Sequence, residues 1–163
     1  MISELVFDQI EGNFWYAAYG PFRVIMMKDT GYVNATKLCR SGGKEYKDWV
    51  RLKGSQELIQ ALERNLALEN THDTTASTLE KAGEQICAPA FPCKIILTAN
   101  YTDADRLISG TYCHPDLIPH IACWVSPAFA LMVSKIVNYF IVEEWKFKLE
   151  AAEQSAAALL QSL

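Results

Sequence analysis

Apolar and polar positions alternate over the first third of the chain, and then the period changes. Glu4 to Ile10 alternates weakly, Asn13 to Tyr19 holds Phe14, Trp15, Tyr16 and Tyr19, and Phe22 to Met27 is rich in β-formers, so strands are expected there. Gly20-Pro21 separates the last two runs. Asp29-Thr30-Gly31 closes the second before Tyr32-Val33, which reads as a hairpin. From Asn34 the pattern is helical. Asn34 suits the cap of a short helix opened by Ala35, Thr36 and Lys37 and stopped by Ser41-Gly42-Gly43. A second helix is expected from near Lys44 through Trp49 and Leu52. A third starts at Gly54-Ser55, with Ser55 as cap and Leu58, Ile59, Leu62 and Leu66 on one stripe.

Residues 70–92 break the pattern. They are polar and acidic, contain Ala88-Pro89-Ala90-Phe91-Pro92, and read as a surface insertion in which Ser77 and Glu80 form a capping box for a short helix toward Ile86. Lys94 to Thr98 is a strand candidate. His114-Pro115-Asp116 opens a helix through Ile118, Ile121 and Trp124, with Pro119 in its first turn, where proline is tolerated. Ser126-Pro127 restarts the helix as cap and first position, and nothing breaks it before Leu163.

The length, 163 residues, suits one domain with a short appendage. No apolar run approaches the ~18 residues of a membrane span. Met1-Ile2-Ser3-Glu4 lacks a basic leader, so an intracellular, non-secreted protein with its five cysteines reduced is expected. Net charge is −4, yet residues 23–64 hold nine basic side chains against five acidic ones, while the other stretches are acidic. Lys37, Arg40, Lys44, Lys47, Arg51 and Lys53 lie within seventeen residues. On one helix Lys44, Lys47 and Arg51 would share a face able to lie along phosphates. The start of the Asn34 helix would offer free N–H groups as a further phosphate site.

Other candidate chemistry gives way to structural readings. Asp29-Thr30-Gly31 matches the aspartic-protease tripeptide but follows Lys28 at a hairpin tip, where Asp and Gly are turn residues. Cys113, His114, His120 and Cys123 lack the spacing of a zinc site, and Cys87 and Cys93 are no redox pair. Trp15, Trp49, Trp124 and Trp145 read as core anchors. No catalytic residue, metal ligand or cofactor motif is nominated, and a non-enzymatic protein is expected.

Three blocks in order carry a family resemblance. They are Gly31 to Cys39 with Lys47 to Lys53, then Gly110 to Ala122, then Trp124 to Pro127 with Phe129-Ala130 and Val133 to Asn138. Together they resemble the KilA-N domain of large DNA viruses and bacteriophages, over about residues 12–142. The Val33-Asn34-Ala35-Thr36 signature is similar to that of the APSES DNA-binding domain of fungal transcription factors. The resemblance implies an α+β fold, a small antiparallel sheet packed with helices in a winged-helix-like arrangement. It also implies binding of double-stranded DNA. The expected contacts are Arg23 and Lys28 on a hairpin wing, and Lys37, Arg40, Lys44, Lys47, Arg51 and Lys53 on the helical part. The acidic balance favours another reading, an interaction module that has lost DNA binding.

The expected division is a DNA-binding domain over 1–142 and a helical extension over 143–163. In that extension Val142, Trp145, Leu149, Ala152, Ala156, Leu159 and Leu163 recur at spacings of three and four, the seam of a coiled coil, so a homodimer is expected.

Overall fold

The computed structural model describes residues 8–72, 93–98 and 102–163. Its described strands form one six-stranded sheet, antiparallel at every pairing. β1 (Asp8–Glu11), β2 (Phe14–Tyr19) and β3 (Phe22–Met27) run as a meander. Tyr19 pairs with Phe22 across Gly20-Pro21. Gly20 turns at φ 57°, and a Cβ there would lie 2.7 Å from the Phe129 ring. β4 (Val33–Asn34) joins β3 to β6 (Gly110–Cys113), and β5 (Lys94–Leu97) forms the far edge. The helices are α1 (Ala35–Ser41), α2 (Tyr46–Arg51), α3 (Lys53–His72), α4 (Asp103–Ile108), α5 (Ile118–Val125) and α6 (Pro127–Gln161). The fold is α+β with a long C-terminal helix.

Period-two alternation sorts the strands' side chains to two faces. Ala17, Val24, Val33 and Cys113 join Leu38, Trp49, Ile118 and Ile121 in the main core beneath the helices. Ile25, Met27, Tyr32 and Tyr112 form a second cluster with Phe14, Tyr16 and Ile95. Tyr112, Ile118 and Ile121 are fully buried, so the body's packing centres on β6 and α5.

Several boundaries differ from the pattern-based expectation. α2 begins at Tyr46, and Lys44 lies outside it. α3 begins at Lys53, which places Ser55 buried in the first turn rather than at the cap. Residues 70–72 finish α3 instead of opening an insertion. The rest of that segment, with the Ser77–Glu80 box, lies outside the described residues. β6 and α4 were not expected. β6 is four residues opening on glycine, too short to show alternation. α4 is held by a capping box, with the Thr102 hydroxyl accepting from Asp105 N–H at 3.1 Å.

α6 continues unbroken through the expected 142/143 division. Phe129 is its one buried residue among those described. Trp145 was expected in a core, but it is 65% exposed. No helix among the described residues is long and apolar enough to cross a membrane.

Candidate functional site

The signature block is a structural joint. Val33 lies in the sheet, and Asn34, fully buried, caps α1 by accepting from Lys37 N–H at 3.0 Å. The Asn34 amide donates to the carbonyls of Ser109 at 3.0 Å and Ile108 at 3.4 Å. Thr36 Oγ1 accepts from Thr111 N–H at 3.0 Å. A Cβ on Gly110 would meet Asn34 Oδ1 at 2.7 Å, so only glycine lets the two blocks close on each other. Blocks far apart in sequence are thus bonded side by side. The start of α1 is buried and capped there, which removes the phosphate site expected at its free N–H groups.

The basic residues divide. Lys44 Nζ donates to the Trp124 carbonyl at 2.8 Å and lies 4.5 Å from that indole's centre. Lys37 Nζ donates to the Arg106 carbonyl at 3.3 Å. Both carbonyls belong to last turns of helices, α5 and α4, where a cation complements the dipole, and the Arg106 carbonyl also accepts from the Ser109 hydroxyl at 3.0 Å. The expected single face of Lys44, Lys47 and Arg51 therefore does not form. Arg40 faces Glu45 at 3.8 Å and Lys53 faces Glu57 at 3.8 Å, both exposed.

Arg23 stacks 3.9 Å over Tyr16 and reaches Asp8 at 3.9 Å, whereas Lys28 lies 5.0 Å over Trp15. Trp15 and Tyr16 are consecutive in β2, so these cations serve opposite faces, near opposite ends of β3. The structure does not gather them into one wing surface.

Lys47 and Arg51, one turn apart on α2, line a groove of about 330 Å³ with Tyr46, Val50, Lys94, Ile96 and Thr111. Tyr46 and Trp49 anchor α2 inward, stacked at 6.0 Å, which turns Lys47 and Arg51 to solvent. Lys94 and Ile96 project from β5 to the same side because they pair with Cys113 and Thr111 of β6. Arg51 shares Asp48 at 3.8 Å. Lys47 and Lys94 form no ion pair with any described residue. Sequence reading missed Lys94. Its signal is the adjacent strand pattern, since a lysine at the first position of a short strand leaves a cation at the sheet edge.

The buried thiols of the core are inert. The Cys113 thiol donates to Tyr46 Oη at 3.3 Å, and burial pushes its pKa up to about 11 and that of Cys39 up to about 12. Burial raises the Tyr46 phenol as well. These groups stay protonated near neutral pH and are poor nucleophiles. The other candidate motifs have structural work. Asp29 exchanges hydrogen bonds with Asn13 at 2.6 and 3.1 Å, tying the β3–β4 turn to the β1–β2 turn. His114 Nδ1 accepts from Asp116 N–H at 3.1 Å at the head of the short 3-10 turn Pro115–Leu117.

Comparison with known proteins shows the family of the chain. The KilA-N domain model matches residues 17–143, a span that takes in the signature joint, the groove and the first turns of α6. The chain belongs to the KilA-N family. It is 32% identical to an uncharacterised protein of fowlpox virus over 148 residues, 90% of this chain and 84% of that protein. It is 34% identical to a KilA-N domain-containing protein of Acanthamoeba polyphaga mimivirus over 150 residues, 89% of this chain and 34% of the relative. A KilA-N domain-containing protein of Invertebrate iridescent virus 6 is 30% identical over 147 residues, 90% of this chain and 36% of the relative. The KilA-N chain thus spans most of the fowlpox protein but about a third of the other two. No solved structure matches it.

Proposed function

We propose that this KilA-N chain binds double-stranded DNA without catalysis, through the groove between α2 and the β5 edge. Lys47, Arg51 and Lys94 contact phosphates there, and Lys53 adds a contact just beyond α2. Lys37 and Lys44 support the site from within, and Arg23, Lys28 and Arg40 stand outside it. The observation that carries this reading is the convergence of Lys47 and Lys94 on one open groove without a carboxylate partner among the described residues. Phosphate contacts of this kind position a protein on the duplex without reading its sequence. The same reading places the chain with viral DNA inside the host cell, self-associated through the seam from Val142 to Leu163.

A net charge of −4 and the inward use of Lys37 and Lys44 favour the other class, a protein-interaction module. Fluorescence anisotropy with duplex DNA at several salt concentrations separates the two. Four phosphate contacts give a log–log slope of roughly −3.6. Absence of binding even at low salt favours the interaction module.

A further inference from the structure

The C-terminal half of α6 leaves its seam bare. Trp145 is 65% exposed, Leu149 61% and Leu159 70%. A helix this apolar needs a partner face. Two features of the helix itself indicate what that face is.

The first is size. Taken in heptads, Val142, Leu149, Ala156 and Leu163 occupy one set of seam positions and Trp145, Ala152 and Leu159 the other. Leu163, just past the end of the helix, lies beyond the three layers compared below and falls opposite Asn138 in the antiparallel register. In a parallel in-register pair every layer joins like with like. Trp145 would meet Trp145, and two consecutive layers would be alanine on alanine. The helix spacing cannot suit an indole pair and an alanine pair within about 10 Å of one another along a helix rising 1.5 Å per residue. Antiparallel pairing joins the two sets instead. Val142 then faces Leu159 of the second copy, Trp145 faces Ala156, and Leu149 faces Ala152. Large meets small in two of these layers, and their facing volumes become more even.

The second is charge. In the antiparallel register the flanking positions bring Lys146 opposite Glu153 of the other copy, twice by symmetry. Glu153 forms no ion pair with any described residue within the chain, and Lys146 holds only the neighbouring Glu143 at 3.2 Å. Lys148, held by Glu144 at 2.7 Å, falls opposite Ser155.

We infer that two copies of this chain pair through the C-terminal half of α6 as an antiparallel two-fold coiled coil. This rests on the seam reading proposed above and fixes its direction. The consequence is geometric. With the pivot between Glu150 and Ala151, the two Pro127 residues stand roughly 70 Å apart at 1.5 Å per residue. That is about two turns of duplex DNA at 34–36 Å per turn. The bodies lie at opposite ends of a rod rather than side by side.

Mixed cysteine cross-linking of the full chain tests the direction. Val142→Cys and Leu159→Cys proteins, distinguished by mass, are combined under mild oxidation, with light scattering on the parent chain alongside. A parent dimer whose disulfides join Val142→Cys to Leu159→Cys, with few homodisulfides, is the expected result. Homodisulfides of each variant in a dimeric sample would overturn the antiparallel direction and leave the seam standing. A monomeric parent chain at high concentration would overturn both. A charge cycle gives an independent readout. Lys146→Glu is expected to weaken dimerisation about five- to tenfold, with Glu153→Lys in the same chain restoring it, while Lys148→Glu has little effect. The reverse ranking of Lys146 and Lys148 contradicts the register. None of these steps involves DNA, so they stand or fall separately from the DNA reading.

Discussion

In the segment ending at Lys44, two of the three cations turn inward, Arg40 being the exposed one. Lys37 and Lys44 each donate to a carbonyl in the last turn of a helix, and neither is fully exposed. A few residues later, Lys47 and Arg51 stand exposed on α2 and meet Lys94 across an open groove. These neighbouring stretches have similar charge density but different physical uses of it. A lysine beside a helix C-terminus serves as a cap, because its charge complements the dipole there. A lysine on a helix anchored by Tyr46 and Trp49 has only solvent to face, which leaves its charge available to a ligand.

Variants can break or sharpen that contrast. The largest effect is expected from Trp49→Ala, because this buried ring holds α2 to the core and so aims the groove. A loss of about 3–5 kcal/mol by denaturant unfolding is expected. Next is Asn34→Asp, which removes two donors and sets a carboxylate against the carbonyls of Ile108 and Ser109 in a fully buried place. It should cost roughly 2–4 kcal/mol in the same assay. Lys44→Ala removes a charged hydrogen bond to the Trp124 carbonyl, for an expected loss of about 1.5–3 kcal/mol. Lys47→Ala should change stability by less than about 0.5 kcal/mol, since its side chain is exposed and unpaired among the described residues. Equal destabilisation by Lys44→Ala and Lys47→Ala would erase the distinction between the two stretches.

Much of the fold was legible in the sequence because its signals are local. Asn34 before a helical period and Ser126-Pro127 at the head of α6 announce caps that the structure contains, with Ser126 Oγ accepting from Phe129 N–H at 3.2 Å. β6 and the start of α2 were not legible. β6 is a strand because β4 and β5 flank it, and four residues opening with Gly110 carry no period of their own. Lys44 has good helical propensity, yet its bond to Trp124 holds it outside α2. The site was half legible for the same reason. Lys47 and Arg51 are one turn apart on a helix, which spacing reveals. Lys94 joins them only through the register of β5 on β6, a long-range pairing. Trp145 was misread because composition cannot tell an aromatic that fills a core from one left exposed along a helix.

The claim that the α2–β5 groove holds the phosphates is tested most directly by comparing salt titrations on duplex DNA for two proteins, the parent chain and the Lys47→Ala, Arg51→Ala, Lys94→Ala triple variant. The expected result is weaker binding by a stably folded triple variant, with a log–log slope shallower by roughly 2.7 per chain for three lost contacts. An unchanged affinity and slope in a folded triple variant would contradict the claim and return the groove to a solvated face.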